Sequence, residues 1–463
     1  MTESPEAEAT DFGSPSLSPS PTAPASASDS GSSPFSVALK YAPWVLIFLF
    51  FVFGAATIMD FPPVHYLGDE IGMMNYGADF MDQLEDGGKP ELIRPRLYYA
   101  TLWGMGKAIG VGVAEARVLS LICAVLVLLI VYLLGRELSG PNAGLLALLL
   151  ITSDYSFSWN ARLIRPEMMS TLFVLGSFAA IVYLSRHARQ KGSLTFLFVA
   201  ALIVSLSINV HPNNLQYIVA MLFVYPVLFR GRLRSRETVM FLAGLLGGVF
   251  LWMLWSFFVL KSGQVSGQAG IAASSSISSS VSPFRIWAFP FLNENFFGLF
   301  GKSLKGFGRD YIVQYLTMAD STFPNHVSFT YYASLAGTGI VLAMFTRARR
   351  SVLLLVGFPA LALFLNYFLT KKFGYWHMVE VHPYLALAAA IGVTSLAGSF
   401  KSKYIRIALI AAFIFALPLV GYWDQAKSVS SYSARHDYPR LLRKVSAPVP
   451  EAAGPVMGHI LYS

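Results

Sequence analysis

The chain has 463 residues, of which 55% are hydrophobic and only 13% are charged. A soluble globular domain carries about 25% charged residues, so this composition excludes a soluble protein and indicates one built for lipid. The formal net charge is +9, but the basic residues gather in short loops between apolar segments, and we expect no nucleic-acid partner. The single cysteine, Cys123, excludes a disulfide framework or a cysteine-based zinc site within one chain.

The first forty residues are rich in Ser, Pro and Ala and lack apolar periodicity. We predict that residues 1–40 are a disordered cytoplasmic tail. Apolar runs long enough to cross a bilayer follow it. They predict an all-α polytopic membrane protein with about eleven transmembrane helices in residues 41–423, at 41–59, 115–134, 142–153, 166–185, 194–210, 213–229, 238–260, 329–345, 351–369, 383–398 and 405–423.

The basic residues of the short loops predict the topology. Fourteen of them lie at alternate helix ends, at positions 136, 186–191, 230–236, 347–350 and 401–406. The opposite short loops hold only Arg162, Arg165, Lys371 and Lys372. By the positive-inside rule the first group is cytoplasmic. We therefore expect a multi-pass protein of the plasma membrane with a cytoplasmic N-terminus and an extracytoplasmic C-terminal tail, residues 424–463.

The first long outward loop, residues 60–114, holds an acidic pair, Asp69 and Glu70, just beyond the first span. Placing a carboxylate near a bilayer costs free energy unless it is solvated, paired or part of a functional site, so we hypothesise that this acidic pair has a function. Asp69 is also suited to capping a following helix, and this alternative stays open. Helix-compatible stretches in the loop predict outward juxtamembrane helices. Three further acids there lie at helical spacing, as is typical of a solvated face: Asp79, Asp82 and Asp86.

The second long outward loop, residues 261–328, begins with a Gly-, Ser- and Ala-rich tract and continues into an aromatic-rich stretch at 284–307. Such a segment suits a mobile lid on the membrane surface, which would close over a substrate. It equally suits a partly ordered linker, and both interpretations stay open.

Basic residues on the disfavoured side of short loops need an explanation. Arg162 and Arg165 lie between Asp154 and Glu167, and ion pairs with these acids are one interpretation. The other is an anionic ligand, because the planar fork of arginine suits a phosphate. Basic residues in three outward loops favour a shared anionic site, and aromatic or polar residues accompany them: Arg94 and Arg96 with Tyr98, Arg162 and Arg165, Lys371 and Lys372 with Tyr375, and His211 in a further loop.

These loops offer what sugar transfer from a polyprenyl phosphate requires. Negative charge grows on the departing phosphate, and a preorganised basic cluster stabilises it. The attacking hydroxyl needs a carboxylate base within hydrogen-bond reach. A single carboxylate acting as a base, with no second one as a covalent nucleophile, predicts inversion at the anomeric carbon.

The ordered set of motifs resembles the GT-C glycosyltransferases of the dolichyl-phosphate-mannose protein mannosyltransferase and aminoarabinose-transferase group. The resemblance covers about residues 41–400 and is carried by the acidic pair, by Arg94-Pro95-Arg96-Leu97-Tyr98-Tyr99, by Asp154 with Arg162-Leu163-Ile164-Arg165-Pro166-Glu167, and by Lys371 to Tyr375.

The resemblance implies roles for these residues. Asp69 would be the catalytic base with Glu70 in support. The resemblance also implies Arg94 with Lys371 or Lys372 near the donor phosphate. From the shared anionic site we expect the whole basic set to bind that phosphate: Arg94, Arg96, Arg162, Arg165, Lys371 and Lys372. We expect the substrate to contact Tyr98, Asp154, Glu167, His211 and Tyr375. Some relatives place a metal-binding acid just before the basic-Pro pair, where this chain has Ile93, with Glu91 nearby; no cofactor is certain, and a divalent metal ion is left open.

The expected partners are a polyprenyl-phosphate-linked sugar donor, membrane lipid and an acceptor that bears a hydroxyl group. A secondary transporter is one alternative, and a non-catalytic lipid-binding scaffold is another. A transporter would place polar residues near the bilayer midplane, whereas the charges here gather at one surface. Gly244 and Gly248 form a G-x-x-x-G step, which predicts close packing of two helices.

Overall fold

The computed structural model describes these residues: 34–58, 70, 73, 96–110, 113–187, 192–211, 214–229, 235–260, 301, 304–306, 337, 339–342, 344–346, 348–370, 379–423, 425 and 426. The chain divides into two units, residues 1–41 and residues 42–463. In the first unit only the start of one helix, from Pro34, is described. The second unit holds the helices discussed below.

The described ranges form helices and no strands. In chain order the helices are α1 (Pro34–Ala56), α2 (Arg96–Ile109), α3 (Val113–Ser139), α4 (Pro141–Ser153), α5 (Tyr155–Asn160), α6 (Glu167–His187), α7 (Ser193–Leu206), α8 (Leu215–Leu228), α9 (Ser235–Leu260), α10 (Arg349–Thr370), α11 (His382–Ser399) and α12 (Lys403–Ala416). A 3-10 helix, Ser207–Asn209, extends α7.

The turn between α3 and α4 is made by glycine and proline. Gly140 has φ 99°, a left-handed conformation that costs glycine no Cβ clash, and Pro141 is the first residue of α4. The two helices then approach closely. A Cβ on Gly144 would lie 2.5 Å from the carbonyl oxygen of Tyr132. Glycine at this crossing therefore sets the distance between the two backbones.

The predicted close packing at Gly244 and Gly248 is confirmed. Helix α9 packs along α7, with Gly244 against the Phe198 backbone and Gly248 against Ser205. The hydroxyl of Ser205 donates to the carbonyl oxygen of Gly244 at 3.1 Å. Small residues let the two backbones meet, and the hydroxyl finds an acceptor across the interface.

Helix α11 lies at the centre of the second unit, packed against α3, α4, α10 and α12. Most of its residues are buried, and alanines dominate its middle. Three other helices present large apolar side chains outwards: Phe48 and Leu49 on α1, Leu246 and Phe250 on α9, and Phe415 on α12. Outward apolar faces around a small-residue centre are typical of helices that contact lipid.

Five helical segments of the described chain are long and apolar enough to cross a membrane: Val113–Ser139, Glu167–His187, Arg236–Leu254, Arg349–Asn366 and Lys403–Trp423. Four shorter apolar helices accompany them. The all-α polytopic membrane fold is thus confirmed. Ten of the eleven predicted spans coincide with helices. The span at 329–345 lies largely outside the described residues, so the number eleven stays a prediction.

Candidate active site

Glu70 and Arg117 form a fully buried ion pair at one end of the helices. Arg117 Nε donates to Glu70 Oε1 at 2.9 Å, and its terminal nitrogen lies 2.5 Å from Oε2. The backbone N–H of Ile164 also donates to Oε1, at 2.9 Å. A second terminal nitrogen of Arg117 donates to the carbonyl oxygen of Ile58 at 2.6 Å. The pair therefore joins the end of α1, the start of α3 and the segment that precedes α6.

Arg162 lies beside this pair and is also buried. One of its terminal nitrogens donates to the Ser158 carbonyl oxygen at 3.2 Å, and its guanidinium stands 4.9 Å from the centre of the Phe53 ring. Burial, together with the nearby charge of Arg117, lowers the pKa of Arg162 to about 10, although Tyr155 opposes the shift. The guanidinium remains charged at neutral pH.

Arg165 pairs with Glu167, the first residue of α6. Arg165 Nε donates to Glu167 Oε1 at 3.2 Å, and a terminal nitrogen lies at the same distance. The Arg165 side chain is 13% exposed, whereas those of Glu70 and Arg117 are 1% and 0% exposed. Of the two arginines of this segment, Arg165 is the one with access to a ligand. The ion-pair interpretation for Glu167 is therefore correct, and it leaves phosphate binding by Arg165 open.

Tyr98 and His211 both interact electrostatically with Glu167, and Tyr98 also interacts with Glu70. Burial raises the pKa of Tyr98 well above its usual value, and the charges of Glu167 and Glu70 add to the rise. Burial lowers the pKa of His211, while Glu167 raises it and Arg165 lowers it further. A neutral phenol and a neutral imidazole therefore face this acid-base cluster at pH 7.

Asp154 accepts hydrogen bonds from two segments. It ends α4 and caps α5, where its Oδ1 accepts from the Ser156 N–H at 3.1 Å. Its Oδ2 accepts from Nδ1 of His382, the first residue of α11, and both side chains are buried. The sequence predicted Asp154 as a substrate contact, whereas its described partners are protein groups. His382 was missed as a site residue, although the His382-Pro383-Tyr384 run at a predicted span start was a signal.

Glu380 is a buried carboxyl group that the sequence analysis also missed. It precedes α11 and lies 2.7 Å from Ser170 Oγ of α6. The same hydroxyl lies 2.7 Å from Oδ1 of Asn214, at the start of α8. Burial raises the pKa of Glu380, and the charge of the nearby Glu167 adds to the rise. No pattern around Glu380 marks it, because its partners come from distant parts of the chain.

Several predicted site residues lie outside the described residues: Asp69, Arg94, Lys371, Lys372 and Tyr375. Arg96 is the first residue of α2, and only its backbone is described. The predicted lid, residues 284–307, is likewise outside them apart from four helical positions in 301–306. Their assignments stay predictions.

The residues that are described meet at one place. Ion pairs, hydrogen bonds and electrostatic interactions link Glu70, Tyr98, Arg165, Glu167 and His211, with Arg117 and Arg162 alongside. Across the described ranges no group of three or more His, Cys, Asp or Glu side chains could hold a metal ion. A bound divalent metal ion therefore stays an open prediction of the sequence.

Residues 94–261 match the family model described as dolichyl-phosphate-mannose-protein mannosyltransferase. The match covers less than half of the chain, and within it the predicted resemblance to the protein mannosyltransferase group is confirmed. The matched residues include Tyr98, Asp154, Arg162, Arg165, Glu167 and His211. No curated protein sequence matches the chain.

Two solved structures resemble this fold at low identity. One is the archaeal oligosaccharyltransferase AglB from Archaeoglobus fulgidus in complex with an inhibitory peptide and a dolichol-phosphate, with 13% identity, a TM-score of 0.49, and coverage of 89% of this chain and 59% of that chain. The other is ArnT from Cupriavidus metallidurans bound to undecaprenyl phosphate, with 13% identity, a TM-score of 0.47, and coverage of 84% and 74%. The chain thus spans less than two thirds of the length of the archaeal enzyme.

Proposed function

We propose that this chain is an integral-membrane glycosyltransferase. It takes a sugar from a polyprenyl-phosphate donor and passes it to a hydroxyl group of a protein, lipid or glycan. The reaction takes place on the extracytoplasmic face of the plasma membrane. The match of residues 94–261 to a family described by its dolichyl-phosphate-mannose chemistry supports this class of donor.

The observation that carries the proposal is the buried charged cluster. Glu70, Arg117, Arg162, Arg165 and Glu167 come from separate segments and meet at one end of the helices. Four of these charged side chains are buried, and only Arg165 is partly exposed. Burying charge costs free energy, so a protein retains buried charged groups where they are paired or take part in function. A low dielectric also strengthens their action on a phosphate that enters the site. The five side chains are three arginines and two glutamates, and this excess of positive charge favours the binding of an anion.

In the proposed reaction one bond to the anomeric carbon forms and one breaks. The acceptor oxygen forms a bond to the anomeric carbon as the bond from that carbon to the phosphate oxygen breaks. Asp69, which is bonded to Glu70 in the chain, takes the proton of the acceptor hydroxyl. The polyprenyl phosphate leaves with the bonding electron pair, and attack from the opposite face inverts the anomeric carbon.

The basic side chains stabilise the leaving phosphate. Arg165 is partly exposed and can exchange one of its contacts with Glu167 for a phosphate oxygen. Arg162 is charged at neutral pH despite its burial and adds to the local positive potential. In this proposal Arg94, Lys371 and Lys372 complete the phosphate site, with Arg96 beside it.

The distribution of charge favours surface chemistry over transport. The buried charged groups of the described helices lie near helix ends, as Arg117 does in α3 and Glu167 does in α6. A transporter of the inverted-repeat type binds its substrate near the bilayer midplane, on interrupted helices. The described helices offer no comparable charged group at mid-span.

The first experiment identifies the donor. Purified protein in detergent or nanodiscs is incubated with a panel of polyprenyl-phosphate sugars, and the release of free polyprenyl phosphate is measured by mass spectrometry. We expect one sugar to be consumed in preference to the others. A protein that consumes none of them, with membrane extract supplied as acceptor, is not a transferase of this class.

The second experiment tests the base. Asp69→Asn should reduce turnover by about 10²–10⁴-fold, because the amide cannot accept the acceptor proton. The control is Asp82→Asn, the same substitution in the same loop on the predicted solvated face, which should keep turnover within about twofold. Both variants should show the thermal midpoint of the wild type. Full turnover by Asp69→Asn at an unchanged midpoint would assign the base elsewhere or indicate a non-catalytic scaffold.

A further inference from the structure

Ser170 contacts two acceptor oxygens at once, and a hydroxyl has one proton. Its Oγ lies 2.7 Å from Oδ1 of Asn214 and 2.7 Å from Oε1 of Glu380. All three side chains are buried. Ser170 can donate to one of the two oxygens only, so the other short contact needs a proton from a different source.

The orientation of the Asn214 amide decides where the Ser170 proton goes. Asn214 Nδ2 donates to the carbonyl oxygen of Ser207 at 3.0 Å. Flipping the amide would set its oxygen against that carbonyl oxygen, with no proton between them. Oδ1 therefore faces Ser170 and must accept from it, because an amide oxygen has no proton to give.

The contact between Ser170 and Glu380 then requires a proton on the carboxyl group. With its own proton committed to Asn214, Ser170 can only accept from Glu380. An ionised carboxylate would leave two acceptor oxygens 2.7 Å apart inside a buried site, which costs free energy. A neutral carboxylic acid makes every contact a hydrogen bond, in a chain that runs from Glu380 through Ser170 and Asn214 to Ser207.

We propose that Glu380 is a protonated, neutral carboxylic acid in the intact site and a positioning residue, which fixes the first turn of α6 by donating its proton to Ser170. Ser170 lies one turn after Glu167, on the same face of α6. Fixing the position of Ser170 therefore fixes the position of Glu167, and Glu167 positions Arg165 through their ion pair. The series of hydrogen bonds from Glu380 to Ser207 also connects the starts of α6, α8 and α11 to the end of α7.

Other titratable groups of the described chain surround Glu380. Glu167 of α6, Tyr217 of α8 and Tyr384 of α11 interact with it, and Glu167 in turn interacts with His211 and Arg165. Burial raises the pKa of Glu380 to about 7. Hydrogen bonds with Ser170 and Tyr217 oppose this rise, and the charge of Glu167 adds to it. Burial lowers the pKa of His211 below its ordinary value.

The site should consequently loosen at alkaline pH. Above about pH 7 the carboxyl ionises, its hydrogen bond to Ser170 is lost, and a second negative charge faces Glu167. The neutral fraction falls about tenfold per pH unit above the pKa. Gln in place of Glu380 keeps a donor for Ser170 and cannot ionise. The catalytic consequence of this inference rests on the proposed function, whereas the protonation state does not.

The decisive measurement is infrared spectroscopy in a detergent without ester groups, at pH 6 and pH 8.5. The wild type should show the C=O stretch of a protonated carboxylic acid at pH 6, and the band should be lost in Glu380→Gln. Glu137→Gln is the control, because Glu137 is a partly exposed partner of Arg186 at the opposite end of α3. Should Glu380→Gln fail to fold, Ser170→Ala should shift the band as the acid loses its acceptor. A wild type without this band at pH 6 would overturn the proposal.

Stability and turnover give two further readouts. The pKa of Glu380 is higher in the folded state than in the unfolded state, so its stabilising effect is complete below about pH 4.5 and is lost as pH rises towards 7. The thermal midpoint of the wild type relative to Glu380→Gln should fall across that window and then level off. With the donor identified, kcat/KM of the wild type relative to Glu380→Gln should fall about tenfold per unit above pH 7.

The two proposals fail in different ways. Equal pH profiles for the two proteins, together with an absent band, contradict the role of Glu380. A band that behaves as expected in a protein that consumes no donor contradicts only the proposed function.

Discussion

At the scale of single residues, Arg117 is a fully buried charge. Its guanidinium has no exposed surface, and it binds both oxygens of Glu70 and the carbonyl oxygen of Ile58. A buried pair of this kind gains little over an apolar pair of the same size, because desolvation offsets attraction. Removing one partner is different, because it leaves an unpaired charge in a low dielectric. The pair, called the Glu70–Arg117 clamp below, therefore fixes the end of α1, the start of α3 and the segment before α6 relative to one another.

Breaking this clamp should be costly. Glu70→Ala should destabilise the protein by about 3–5 kcal/mol, because Arg117 keeps its charge and loses its partner. The matched control is Glu137→Ala, whose partner Arg186 is 39% exposed, and the cost there should stay below about 1 kcal/mol. Thermal unfolding in detergent measures both. Equal shifts in the two variants would contradict a clamp at Glu70.

At the scale of helices, the contact of α7 with α9 depends on which glycine faces the partner. A Cβ on Gly244 would collide with the carbonyl oxygen of Phe198 and lie 2.8 Å from the Ala201 Cβ. A Cβ on Gly247 would meet only Leu202, at an ordinary 3.8 Å. Helix propensity favours Ala over Gly by about 1 kcal/mol wherever space allows it. The two positions should thus respond in opposite directions.

Gly244→Ala should lower the thermal midpoint, because overpacking against backbone costs about 1–3 kcal/mol and the Phe198 carbonyl cannot move aside alone. Gly247→Ala in the same helix should leave the midpoint unchanged or raise it. Both are measured by thermal unfolding in the same detergent. A destabilised Gly247→Ala beside a tolerated Gly244→Ala would mean that α9 presents a different face to α7.

At the scale of the whole molecule, the basic loops predict which end of the helices faces the cytoplasm. Cys123 is the one cysteine of the chain and is buried, so Cys123→Ala provides a background free of thiols. Single cysteines can then be placed at Gln190, in a predicted cytoplasmic loop, or at Asn213, at the predicted outward end of the span 213–229.

In right-side-out membrane vesicles, an impermeant maleimide should label Asn213→Cys at once. It should label Gln190→Cys only after the membrane is permeabilised. The ratio of labelling before and after permeabilisation is the measured quantity. The opposite pattern would place the buried charged cluster on the cytoplasmic side and would remove the basis for an extracytoplasmic transferase.

The helices were predictable because each one is encoded locally. Span length, apolar composition and breakers such as Gly140-Pro141 act within a few residues, and the predicted spans at 115–134 and 351–369 lie inside α3 and α10. The contact at Gly244 was predictable for the same reason, because the spacing of two glycines is a local pattern. The sequence also offered ion pairs of Arg162 and Arg165 with Asp154 and Glu167 as one of two interpretations, and the structure shows the pair of Arg165 with Glu167, two residues apart.

Only the tertiary structure decided which charges meet. Glu70 and Arg117 are 47 positions apart, and Asp154 and His382 are 228 positions apart. Arg117 lies inside an apolar run and Glu380 in a loop, so neither has neighbours in the sequence that suggest a partner. The sequence by itself determined a polytopic helical membrane protein with acids and bases at one surface, because apolar length and loop charge are properties of short segments. The pairing inside the site, and the proton that Glu380 holds, arose from packing, because burial and hydrogen-bond geometry exist only once distant helices are assembled.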